Sequence, residues 1–441
     1  MLDKKIFNFS TIEIFLTFSY CICWLSISTS FYDISNIYQK EKINLNDVVN
    51  FLRQFFNIII FPILIILVSK EYKKVNLKNE IILFSAFLYF LFQIPGLIFT
   101  KNSIMNICYI ISALNILLIF ILVNQYFDTK KYIIFFLITL LMLILIAILN
   151  YKAFIFFFQS SRGDGLYLFF KSSETFFGKD SPRSTGSSRS FLFIMIILNL
   201  IFYKFFKKNY SIKIIIYILF STLVLLFQSR TSTTLLLIFI LLNYFYEKNF
   251  SLKSSIRYFI IYFIMPIILL FSILIFKEVA KGDVSIKGDV SKSFADITSD
   301  FKRPMDPISY SSGRYEDWQS ILSEMHNSKI IGYGAQGDRF LINRSASNGI
   351  VYAVASSGLL GLMFFVLLSI YSFFILFRIF LHIKDLNQKQ IKYYYCSIIV
   401  LLLLLRSILE SSYAVFSVDF IVFYTFVNYL NRFFKKTKNG N

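Results

Sequence analysis

Apolar runs of roughly span length, separated by short polar connections, recur along the whole chain. They predict twelve membrane spans, at 10–32, 51–69, 80–100, 104–127, 132–157, 190–203, 212–229, 231–246, 257–276, 347–377, 394–410 and 412–431. A helix needs about 20 such residues to cross roughly 30 Å of hydrocarbon. The sixth run is short for this and the tenth long. The pattern breaks at greatest length over residues 277–346, which are polar. Long connections are uncommon and tend to be either functional or disordered. The chain therefore reads as an all-α polytopic membrane protein. It divides into spans one to nine (1–276), a large outside loop carrying a short helix (277–346), and spans ten to twelve with a basic tail (347–441).

The loop is not uniform. It begins with a short polar repeat, Lys281-Gly282-Asp283-Val284-Ser285 and Lys287-Gly288-Asp289-Val290-Ser291, a flexible lead-in. After Pro304 and Pro307, the residues Trp318, Ile321, Leu322 and Met325 recur at helical spacing, with Ser312 or Gly313 placed to cap the start and Gly332 and Gly334 to stop it. A second outside segment, 158–189, ends in Pro182-Arg183-Ser184-Thr185-Gly186.

Charge fixes the expected sidedness. Hydrophobic residues make up 57% of the chain and charged residues only 16%, against about 25% charged in soluble domains. Lysines and arginines cluster in alternate short connections, such as Lys70–Lys78, Lys204–Lys213 and Arg432–Lys438. The positive-inside rule places those connections, and both termini, in the cytoplasm. The net charge of +20 is thus a topological signal and excludes a nucleic-acid reading. Cys21, Cys23, Cys108 and Cys396 all lie in apolar runs, where a thiol packs as a small hydrophobe. No metal-ligand set, phosphate-binding glycine loop or Ser-His-Asp order is present, so no metal or cofactor is expected. The first apolar run lacks a small-residue cleavage pattern and is expected to remain as a span.

A few charges sit where hydrocarbon or a helix end makes them costly. Arg314 opens the loop helix, where the macrodipole disfavours a cation. Glu316 and Asp317 offset it in an ion-paired turn, and the alternative is an anion site. Arg230 lies in the tight turn between spans seven and eight, either snorkelling to headgroups or held for function. Arg406 and Glu410 are one turn apart in span eleven, so an internal ion pair is the default. Asp419 lies within span twelve; an intramembrane carboxylate marks a functional site unless it pairs with Arg406 or a hydroxyl.

Ser312-Gly313-Arg314, Trp318, Ile331-Gly332-Tyr333-Gly334, Asn348 and Gly358-Leu359-Leu360-Gly361, with Arg183-Ser184-Thr185-Gly186 and Ser229-Arg230-Thr231, together resemble the O-antigen polymerase and O-antigen ligase superfamily. The layout is similar throughout: twelve spans, cytoplasmic termini, and a large periplasmic loop between spans nine and ten. The resemblance implies metal-independent glycosyl transfer on the periplasmic face of a bacterial inner membrane. The donor would be an undecaprenyl-diphosphate-linked oligosaccharide, with the lipid diphosphate as leaving group. It implies that Arg230 and Arg314 hold the diphosphate, backed by Arg183, and that Trp318, Tyr333, Asn348 and Arg406 line the substrate. A flippase and a chain-length regulator are the implied protein partners.

Ligases of this superfamily carry a histidine directly before the asparagine at span ten, whereas this chain has Ser347. A serine does not replace imidazole as a base near neutral pH, which favours the polymerase over the ligase. The base is left among Glu316, Asp317, His326 and Glu410. The alternative of another class is a transporter of the lipid-linked glycan, for which Asp419 speaks.

Overall fold

The structure, a computed structural model, describes residues 9–27, 45–71, 80–99, 103–149, 185–227, 229–247, 264–269, 272, 314–325, 328–342, 345–381 and 391–439. Among these there is no strand. The helices are α1 (Thr11–Leu25), α2 (Leu45–Glu71), α3 (Ile81–Leu91), α4 (Ser103–Tyr126), α5 (Ile133–Leu149), α6 (Thr185–Lys208), α7 (Tyr210–Leu226), α8 (Arg230–Glu247), α9 (Arg314–Glu324), α10 (Gly337–Ile342), α11 (Gly349–Leu381), α12 (Ile391–Leu409) and α13 (Val418–Asn439). Short 3₁₀ turns cover Pro95–Phe99 and Ser412–Ala414.

Five of these stretches are long and apolar enough to cross a membrane: Ile81–Phe99, Asn106–Tyr126, Gly186–Lys208, Gly349–Leu381 and Ile391–Leu409. Shorter apolar helices occupy the predicted spans one, five, seven and eight. The chain is a multi-pass helical membrane protein. Most of predicted span nine lies outside the described residues, as do the 281–291 repeat, Arg183 and the Ser312-Gly313 cap.

The chain divides into two units, one of Met1–Thr139 with Glu316–Asn441 and one of Leu140–Tyr315. In the first, polar side chains stitch the helices together, because apolar surface alone does not drive helices together in lipid. Tyr20 of α1 bonds Thr139 (2.8 Å) and Thr425 of α13 (2.7 Å) through its hydroxyl. Asn57 of α2 donates to Ser112 of α4 at 2.9 Å, and Asn115 donates back to the Asn57 carbonyl at 2.8 Å.

Charged residues gather at one end of this unit. Lys131 reaches Glu13 at 2.7 Å, Tyr126 donates to Glu71 at 2.7 Å, Asn124 donates to Glu80 at 3.0 Å, and Arg432 donates to the Phe127 carbonyl. These ends belong to connections that the charge pattern assigns to one common side.

In the second unit α6, α7 and α8 pack together. Ser188 donates to the Val224 carbonyl at 3.0 Å, and Phe191 stacks on Phe227 with ring centres 5.8 Å apart. α7 ends at Leu226 and α8 begins at Arg230, so the turn between spans seven and eight is as tight as its sequence implied.

The feature that organises the first unit is a break in α11. Gly358 adopts φ +62° and ψ −165° inside the helix, in its first third. A regular helix would bond the Leu359 amide to the Ala355 carbonyl and the Leu360 amide to the Ser356 carbonyl. Here the loop takes all four groups. Tyr333 and Gly334 donate to Ala355 and Ser356 at 2.8 and 2.9 Å, and Leu359 and Leu360 donate to Lys329 and Ile330 at 3.0 and 3.5 Å. Two helical bonds are exchanged for four, which ties the end of the polar loop to the membrane helix. Non-helical backbone at such a place is tolerated only where protein satisfies it.

The close approach demands bare backbone. A Cβ on Gly358 would collide with the Ile330 carbonyl, and one on Gly332, at φ +78°, with the Gly358 amide. The expectation that Gly332 and Gly334 stop the loop helix is thereby corrected. α9 ends at Glu324, and the glycines serve instead to bring the loop against α11.

Gly358→Ala should lower stability by at least about 2 kcal/mol, since this backbone conformation is essentially confined to glycine and costs another residue about 1–3 kcal/mol before the collision is relieved. Gly186→Ala, whose added carbon would have 3.8 Å of room, is the control. Thermal unfolding in detergent checks this: equal midpoints for the two variants would refute the tight docking.

Candidate functional site

The docked segment and the mouth of α11 bring together most of the residues singled out in the loop. α9 presents the expected apolar stripe. Ile321 and Met325 are buried and Trp318 half-buried, but Leu322 is half exposed, because the stripe follows the i, i+3, i+7 line and leaves Leu322 at its edge.

The Trp318 indole donates to the Ala346 carbonyl at 2.6 Å, and the Ala346 amide donates to Asp338 Oδ2 at 2.7 Å. Both backbone polar groups of Ala346 are thus clamped. Tyr333 is buried, stacked on Phe340 with ring centres 5.9 Å apart. Asn348 caps α11: its Oδ1 accepts from the Ile350 and Val351 amides at 2.8 and 3.0 Å, while Nδ2 donates to the Ile408 carbonyl at 2.8 Å. Trp318, Tyr333 and Asn348, expected to line substrate, therefore each hold the shape of the segment. Ser347 sits directly before the cap in a left-handed conformation, φ +47°.

Arg406 and Asp419 resolve one of the open pairings. Arg406 Nε lies 2.9 Å from Asp419 Oδ2, with both side chains almost fully buried. Asp419 on α13 is thus a partner of Arg406, and the Glu410 amide bonds the Arg406 carbonyl at 2.9 Å. A buried pair of this kind is weak net support, but losing either member leaves a stranded charge.

Of the remaining candidates, Glu316 is exposed and Asp317 and Glu410 are half-buried. His326 lies outside the described residues. Arg230 and Arg314 are the first residues of α8 and α9, and the Arg230 side chain lies outside the description. Ser229 caps α8, its hydroxyl accepting from the Ser232 amide at 3.3 Å, which gives Ser229-Arg230-Thr231 a local structural reason.

Sequence reasoning missed Asp338 and Gln336. Asp338 is 2% exposed, and burial pushes its carboxyl above the usual carboxylate range despite the bond from the Ala346 amide and the nearby Arg339 amide, which lower it. Gln336 adopts φ +61° and donates its amide to the Tyr352 hydroxyl at 3.1 Å. A residue of this type held in the left-handed region marks a local constraint. The sequence signal was the polar Gln336-Gly337-Asp338-Arg339 stretch just after Gly332 and Gly334.

Arg406→Leu should destabilise the protein by about 3–5 kcal/mol, the cost of leaving one buried charge unpaired. Adding Asp419→Leu should restore much of that loss. Thermal unfolding of both variants measures the coupling; a double variant as damaged as the sum of the singles would remove the pair from the account. No protein-family model, curated protein or solved structure matches the chain.

Proposed function

We propose that this membrane protein transfers glycan from a polyprenyl-diphosphate carrier to a second carrier-linked glycan, as an O-antigen or surface-polysaccharide polymerase does. One observation carries the reading. Arg230 and Arg314, the two arginines that the superfamily resemblance assigns to the diphosphate, each occupy the first position of a helix of more than two turns.

A helix start offers free backbone N–H groups and the positive end of the macrodipole. Placing an arginine there is unfavourable for an isolated helix and becomes favourable when an anion sits beside it. A diphosphate gathers charge as the glycosidic bond breaks, so donors set in advance stabilise the leaving group more than the ground state. Arginine suits this better than lysine because its fork meets two phosphate oxygens at once. Placing the chemistry on the periplasmic face of an inner membrane, with the flippase and chain-length regulator as partners, belongs to the same proposal. So does preferring polymerisation to ligation, which rests on Ser347 standing before Asn348.

Transport of the lipid-linked glycan is the second reading, favoured by the broken helix α11 and the buried Arg406–Asp419 pair. It is weaker because the groups freed by the break are bonded to the loop, leaving no open carbonyls at Ala355 and Ser356 for a coupling ion.

In a strain lacking the gene, Arg230→Ala or Arg314→Ala should fail to restore long-chain glycan, with turnover reduced by about 10²-fold or more, as when a preset charge-stabilising donor is removed. Membrane levels should match wild type. Electrophoresis of the glycan checks this: normal chain lengths with both variants would eliminate the diphosphate role.

A further inference from the structure

The turn carrying Gln336 and Asp338 holds two buried polar atoms of opposite kind that no group among the described residues bonds: Asp338 Oδ1, an acceptor, and Gln336 Nε2, a donor. Buried polar groups are nearly always paired, and those that are not call for an explanation. Asp338 Oδ2 is already used by the Ala346 amide at 2.7 Å, so the carboxylate is held in orientation with one oxygen left over. Gln336 is fixed through its own amide to the Tyr352 hydroxyl. Gln93, fully buried at the end of α3, has both amide atoms unbonded as well, and Gly96, three residues on, lies against Tyr333 and Gly334.

One ligand group satisfies an unpaired acceptor and an unpaired donor together: a hydroxyl, which donates to the first and accepts from the second. A cation would suit Asp338 but would meet the amide hydrogens of Gln336 with the wrong polarity. Hydroxyls in a protein acting on glycans are those of a sugar.

Resting on the glycosyl-transfer reading, we propose that Gln336 and Asp338 form the site of the acceptor hydroxyl and that Asp338 is the general base. The Asp338 carboxylate takes the hydroxyl proton as the acceptor oxygen forms its bond to the anomeric carbon. The carbon–oxygen bond to phosphate breaks, its electron pair leaves with the lipid diphosphate, and Asp338 then returns its proton to water. Gln336 is a binding residue that orients the same hydroxyl.

The geometry is supported by the state of the carboxyl, since burial raises its proton affinity toward the range in which a base is effective near neutral pH. Among the described residues, the titratable groups within its electrostatic reach are Arg339 on the same helix, Tyr352 on α11, Tyr89 on α3 and Tyr109 on α4. With a raised pKa, the base is protonated and idle in acid and becomes active as pH rises through that value.

The test uses the full-length protein in nanodiscs, with undecaprenyl-diphosphate-linked repeat units extracted from the deletion strain, and follows transfer from about pH 5 to pH 8. Wild type should show a rate that climbs from the acid side. Asp338→Asn keeps an oxygen for the Ala346 amide. It should lose about 10²-fold or more in kcat, the usual share of a general base, with KM little changed and the acid limb gone. Gln336→Ala should act mainly on KM.

Asp338→Asn turning over like wild type, or keeping the same acid limb, would overturn the base and leave the carboxylate as a clamp for Ala346 beside a bound water. If that variant fails to fold, the wild-type profile decides alone, and a rate flat across the range would overturn the proposal. A wild type that transfers nothing would sink the glycosyl-transfer reading and this site together, an outcome distinct from failure of the variant alone.

Discussion

A helix crossing hydrocarbon normally satisfies its own amides and carbonyls, and α11 does not. At Gly358 two of its internal bonds are given up, and four backbone groups become available to the segment Lys329–Gly334. In a medium without water each such group left unbonded would cost several kcal/mol. The loop and the helix are therefore locked to one another more firmly than side-chain contacts alone would achieve. Everything proposed for the first unit depends on that lock. It sets the position of Gln336 and Asp338, the clamp on Ala346 and the cap at Asn348.

The lock also accounts for the structural contacts that several conspicuous residues make. Trp318, Tyr333 and Asn348 are the kinds of side chain expected around a glycan, and their polar atoms bond backbone groups of the segment, of α11 and of α12. Their work is to make a polar connection behave as a rigid part of the bundle. A rigid segment is what allows Asp338 to be held by one oxygen while the other is left unbonded. The buried Arg406–Asp419 pair contributes in a similar manner, tying α12 to α13 close to where Asn348 grips Ile408.

Much of the helical plan was legible in the sequence because apolar runs of span length have few other uses. The alternation of basic connections was legible too, and its counterpart is the gathering of Glu13, Glu71, Glu80, Lys131 and Arg432 ends in one unit. The pairing of Gly332 with Gly358 was not. Both glycines stood out, but a glycine in sequence marks a freedom without naming the backbone that will approach it. Arg406 had two carboxylates within plausible reach, and helical spacing speaks only of the one on its own helix, not of Asp419 across the bundle. Asp338 was invisible for a different reason. Its significance lies in burial and in an unfilled bonding site, and neither leaves a pattern in spacing or composition.

The central claim is the exchange of backbone bonds between loop and helix, and amide hydrogen exchange in a membrane mimetic reads it directly. The account predicts strong protection at Tyr333, Gly334, Leu359 and Leu360, and a joint loss of protection across both segments when Gly358 is replaced. Rapid exchange at Tyr333 and Gly334 beside a uniformly protected α11 would contradict it.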